Sequence, residues 1–145
     1  MKRLFLILTC LLFVACAPPD DNHGYGYEYD EIDNDTGLRI RNFKTLGDTA
    51  PTLKDVAAQY LAITNCAGFS KVTPGALVII VDEILYDENG YRVYGRYYYE
   101  GATALISTLD NDCIICVINH ELMHHLSAIN DASNDHSAPQ FSYCI

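Results

Sequence analysis

Near the C-terminal end, His120-Glu121-Leu122-Met123-His124 sets two imidazoles and a carboxylate at a spacing that can do chemistry on a helix. Residues four apart lie one above the other on a helix face, so His120 and His124 can present ring nitrogens to one metal ion while Glu121 leans over its edge. Zinc takes imidazole readily, and with three protein ligands it keeps a position for a water whose pKa falls to about 7. Glu121 is then the base for that water's proton, which is the chemistry of a zinc hydrolase. The pattern arises by chance in well under ~1% of chains this long, so its context decides.

That context begins with the helix. Stepping about 100° per residue, Ile114, Ile115, Ile118, Leu122, Leu126 and Ile129 fall on one side, and His120, His124, Cys113 and Cys116 on the other. This is a helix with a core face and a site face, and Asp110, Asn111 or Asp112 can cap its start. Before it, Ala102 to Ser107 forms a short strand, separated by Gly101 from the β-prone Tyr91 to Tyr99. Asp87-Glu88-Asn89-Gly90 marks a turn. Ala76 to Val81 is a continuous apolar run after Pro74-Gly75, the mark of a central strand buried on both faces. An earlier helix starts at Thr52 and Asp55 with capping-box spacing, carries Val56, Ala57, Tyr60, Leu61 and Ile63, and stops near Gly68. Leu38 to Arg41 alternates as a strand with one covered face. The expected order is strand, helix, three strands, helix, an α+β arrangement.

The 145 residues allow one domain at most, and the first segment shortens it. Met1-Lys2-Arg3 followed by apolar Leu4 to Ala15 is too short to span a bilayer and suits an export signal over residues 1–15. Ala15-Cys16 resembles a bacterial lipobox, with Phe13 a departure from the usual residue, so Cys16 is the expected lipidated first residue of the mature chain. Loss of Lys2 and Arg3 would take the formal charge from −10 to −12, which disfavours nucleic acid and anionic surfaces as partners. Ala17 after the Cys favours the outer membrane if the host is Gram-negative. Residues 16–36, rich in acidic, Pro and Gly residues, read as a flexible tether, with His23 solvated, leaving 37–145 as the folded domain. Cys66, Cys113, Cys116 and Cys144 then sit in an oxidising compartment, where structural disulfides involving Cys66 or Cys144 are expected and three pairings stay open. Cys113 and Cys116 form a CxxC with no thioredoxin-like unit around it, and Cys116 stands one turn before His120 as a further candidate ligand.

Taken together, Ala102 to Ser107, the polar link and Val117 to His124 resemble the metzincin zinc metalloproteases, particularly small bacterial and archaeal members, over roughly Leu38 to the end. The resemblance implies a small catalytic domain in which a twisted mixed sheet with an antiparallel edge strand packs on two helices. It also implies an endopeptidase whose extended substrate adds to that edge strand, here taken as Ala102 to Ser107. The family pattern continues to a Gly and a third ligand, where this chain has Ser127 and Asn130. Some members insert residues before a late His, which makes His136 the expected third zinc ligand, with Asp131, or no third ligand from the protein, as the alternatives. The family's Met-containing turn would follow Ile145, so either the sequence is truncated there or the site lacks its floor. His125, beside the ligand pair, is expected to pack rather than ligate. The alternative to a peptidase is an inactive, zinc-stabilised binding lipoprotein of the same fold.

Overall fold

A computed structural model describes residues 29–145. The export signal, Cys16, His23 and the first part of the tether lie outside the described residues. Among the described residues no helix is long and apolar enough to cross a membrane.

The chain forms a mixed α+β arrangement. Strands β1 (Glu31–Ile32), β2 (Arg39–Arg41), β3 (Leu77–Val81), β6 (Gly95–Tyr98) and β7 (Thr103–Ser107) make one sheet in the order β1-β2-β3-β7-β6. Strands β2, β3 and β7 run parallel, and both edge strands pair antiparallel with their neighbours. A separate hairpin, β4 (Leu85–Tyr86) with β5 (Arg92–Val93), flanks it across the Asp87–Gly90 turn. Helices α1 (Leu53–Cys66) and α2 (Ile114–Ile129) pack on the sheet, and a short α3 (Pro139–Tyr143) ends the chain.

Each element follows from its residues. Leu77, Val78, Ile79 and Ile80 are all buried, as a run without polar alternation requires of a central strand. The Thr52 side chain accepts from Asp55 N–H while the Asp55 carboxylate accepts from Thr52 N–H, closing the capping box that starts α1. Val56, Ala57, Tyr60 and Ile63 are buried from α1, whereas Leu61 stays exposed. Opposite them, Ile118, Leu122 and Leu126 of α2 are fully buried against Val78, Ile80, Ala104 and Ile106 of the sheet.

Two expectations are corrected. The acidic stretch does not run as a tether to Thr36, because Glu31 and Ile32 pair with Ile40 and Arg39. The turn between them is held by Asp33, whose carboxylate accepts from the backbone and hydroxyl of Thr36, and Thr36 itself is buried. The antiparallel edge is not the Ala102–Ser107 segment. β7 lies inside the sheet between β3 and β6, and the edge is β6. The reason is composition. Ala104 and Ile106 are fully buried, while Gly95–Tyr98 offers half-exposed glycine, arginine and tyrosine that tolerate an open edge.

Candidate metal centre

The site is built on α2, which enters from β7 through a polar link. Asn111 orders that link, donating to Ser107 C=O at 2.9 Å and accepting from Cys113 N–H at 3.1 Å. The helix then carries His120 and His124 on the side away from Leu122 and Leu126, as their spacing demands. After α2 ends, the chain curls back and brings His136 to the pair.

The Nε2 of His136 lies 3.1 Å from that of His120 and 3.0 Å from that of His124. All three offer a ligand atom within 4.8 Å of one another, and the cluster could hold a metal ion. Four-coordinate binding at metal–nitrogen distances of about 2.0–2.1 Å places nitrogens roughly 3.3 Å apart, so the donor set fits such an ion after a small relaxation. Neutral rings are needed for ligation. Burial and the neighbouring imidazoles hold His120 down at about 4, and burial also lowers His124. Asn134 Oδ1 lies 3.4 Å from His124 Nδ1, the outward nitrogen whose partner sets the ring's orientation.

Asp131, the alternative third ligand, is not brought to the site. It is exposed and ion-paired to Lys71 at 3.4 Å. Asn130 is fully used elsewhere, accepting from Ser70 and Lys71 N–H and donating to the carbonyls of Lys71 and Leu126. It clamps the end of α2 to the segment after α1. Ser127, where the resemblance called for a Gly, is completely buried with its hydroxyl unpaired.

Glu121 sits beside the cluster with only 5% of its surface exposed. Burial pushes its carboxyl up to about 7, with a backbone hydrogen bond from Tyr97 working against that shift. The close approach depends on Gly95, since a Cβ there would stand 2.5 Å from Glu121 Oε1 and 2.6 Å from Val117 Cγ1. Strand β6 thus lies directly on the HExxH helix. Ser107 N–H donates to Tyr94 C=O at 2.8 Å, and ladder alternation then turns Arg96 and Tyr98 toward β7 and leaves the backbone groups of Gly95 and Tyr97 on the outer edge. A cleft of about 600 Å³ runs between β6 and α2, lined by Gly95, Tyr97, Tyr99, Val117, Glu121 and the three histidines among others.

His125 packs, as expected. It is buried, with Nδ1 2.8 Å from the Tyr97 hydroxyl and Nε2 2.6 Å from Pro74 C=O, which makes Nε2 the donor and leaves Nδ1 to accept. This buried strut joins α2 to β6. Tyr97 and Tyr99 both line the cleft, and Tyr97 also braces the helix through its hydroxyl.

One site residue was missed. Phe141 of α3, 8% exposed, lies under all three imidazoles, its ring centroid 5.6 Å from His120, 4.7 Å from His124 and 5.3 Å from His136. The cluster is thus not without a floor among the described residues; an aromatic ring supplies it. The Cys66–Cys144 disulfide, three residues on, fastens that segment to the end of α1. Cys116 belongs to a second disulfide, with Cys113, and is not part of the histidine cluster.

No family model, no curated protein and no solved structure matches this chain. What the site defines is a three-histidine centre able to hold a metal, with a buried carboxylate beside it.

Proposed function

We propose that the chain is a zinc-dependent endopeptidase of the metzincin type, tethered to a bacterial envelope through Cys16. The observation that carries the reading is the convergence of His120, His124 and His136 next to Glu121, in a cleft whose other wall is an open antiparallel strand. Neutral nitrogen donors suit zinc. Zinc held by these three rings would supply Lewis acidity, lowering the pKa of water and polarising a scissile carbonyl.

The remaining steps belong to the protein. An extended peptide adds to the outer edge of β6, where the outward backbone groups of Gly95 and the Tyr97 carbonyl align it over the histidines, the Tyr97 N–H being held by the Glu121 carboxylate. Glu121, held near pH 7 in its proton affinity, takes a proton from the attacking water and later delivers it to the leaving amine. Its burial keeps bulk water from competing for that proton. Phe141 and the His125–Tyr97 strut keep the rings and the strand in register.

A Glu121→Gln variant is expected to retain zinc and lose cleavage of a denatured protein; undiminished cleavage would sink the mechanism. His136→Ala is expected to lose most bound zinc, and unchanged stoichiometry would remove His136 from the ligand set. Asn130 and Ser127, which depart from the family pattern, favour a second reading, an inactive zinc-stabilised binding lipoprotein. Full zinc occupancy with no cleavage across a broad peptide library would select it.

A further inference from the structure

The two disulfides do different things to the chain. Cys66–Cys144 joins the ends of α1 and α3 across 78 positions, so it holds together elements that meet only on folding. Cys113–Cys116 spans three positions at the head of α2 and ties no two elements to each other. Its contribution through loop closure is correspondingly small, because that contribution grows with the logarithm of loop length. Holding the fold together does not account for it.

Its placement does suggest chemistry. Cys116 is exposed on the wall of the histidine cleft, one turn before His120, while Cys113 is half-buried at the N-cap position. α2 starts with no side-chain cap and no acidic residue in its first turn, and only the Cys113 carbonyl receives Cys116 and Val117 N–H there. Cys113 therefore occupies the place from which an oxygen ordinarily caps a helix. A sulfur anion at that place meets free N–H groups and the positive end of the helix dipole.

We infer that Cys113–Cys116 is a thiol–disulfide exchange site, opened by attack of a thiol reductant on Cys116 Sγ with Cys113 leaving as the thiolate. The incoming thiolate forms a new S–S bond to Cys116, the bond to Cys113 breaks, and Cys113 Sγ keeps the electron pair. A second thiolate, from the same dithiol or another molecule, attacks the reductant's sulfur in the mixed disulfide and releases Cys116 as its thiolate. The protein gains two electrons, its sulfurs take protons from solvent according to pH, and the reductant departs as its disulfide. The direction follows from two asymmetries: the accessible sulfur is attacked, and the sulfur best stabilised as an anion leaves. The exchange uses none of the three histidines, and its opening leaves the Cys66–Cys144 cross-link intact.

The test is a titration of the purified full chain with reduced glutathione, quenched in acid, alkylated with mass-distinct reagents before and after full reduction, and read by peptide mapping. Cys113 and Cys116 are expected to open at about ten-fold less glutathione than Cys66 and Cys144, with the far-UV circular dichroism unchanged and the trapped glutathione adduct on Cys116. Joint opening of both disulfides, earlier opening of Cys66–Cys144, or an adduct on Cys113 would overturn the inference. A Cys113→Ser variant, in which serine can cap the helix, is expected to take one glutathione on Cys116 from oxidised glutathione; an unmodified Cys116 in the folded variant also overturns it.

Discussion

Replacing Gly95 by alanine tests how β6 and α2 are fitted together. In a strand whose backbone is not strained, Gly→Ala ordinarily stabilises by about 0.4–1 kcal/mol through the unfolded chain. Here the added Cβ would lie 2.5 Å from Glu121 Oε1 and 2.8 Å from its Cγ, where ordinary contact begins at 3.4 Å, so strand or carboxylate must retreat by about 0.9 Å. Overpacking of that size costs about 1–3 kcal/mol, enough to reverse the sign. At roughly 4 °C per kcal/mol for a domain of this size, the midpoint of thermal unfolding should fall by about 4–12 °C. Zinc stoichiometry should hold, because the three atoms nearest the new methyl group belong to Glu121 and Val117 and not to the imidazoles. Peptide hydrolysis should fall about a hundred-fold, the usual consequence of moving a reacting group by about 1 Å. Adding Val117→Ala, which removes the contact at 2.6 Å, should recover part of the stability and none of the rate. A Gly95→Ala protein as stable as the parent, with Glu121 unmoved in a crystal structure, would refute the fit.

Three further outcomes follow from the same geometry. Phe141→Ala removes the ring beneath the three histidines and should cost about 3 kcal/mol in urea unfolding while weakening zinc binding in a chelator competition. Ser127→Ala removes a buried hydroxyl that has no partner and should raise stability by about 1 kcal/mol, read as a higher urea midpoint with unchanged slope. In the metal-free protein the fold prefers Glu121 protonated, since its proton affinity is raised from 4.5 to about 7. That preference is fully present below pH 4.5 and is lost as pH rises through 7, so wild type should lose about 3 kcal/mol relative to Glu121→Gln across this window. A difference curve that stays flat from pH 4.5 to 8 would contradict the burial.

The parts that the sequence made legible are those with a period or a repeated spacing. The HExxH helix and the run from Leu77 to Ile80 could be placed because each residue's face follows from its neighbours. His136 was reachable only as one choice beside Asp131, because it comes from a loop, where spacing does not fix direction. What separates them is Asn130, three of whose four hydrogen bonds spend it on the segment after α1, the fourth returning to Leu126 C=O, so that the chain swings past Asp131 before returning. The edge strand went to the wrong member of a hairpin, since alternation tells which face a residue takes and not which partner a strand takes. The graded burial of Ala104 and Ile106 against Arg96 and Tyr98 carried that information. Phe141 offered no signal, being one of two aromatic residues in a five-residue helix whose position is set by a disulfide and by the return of the loop.

The clamp at Asn130 also divides the ligands by how they are held. His120 and His124 ride on a rigid helix, whereas His136 is exposed and reaches them from the loop beyond the clamp, steadied by Asp135 accepting from Ser137 N–H and by Gln140 donating to Ser133 C=O. Metal uptake should therefore have two kinetic phases: capture by the helix pair at a rate set by metal concentration, then a concentration-independent closure as the loop delivers the third ring. Release should run in reverse, with loop opening as the slow step. Residence time of the ion would then answer to substitutions in 131–135 that never touch it, leaving the rate of capture as it was.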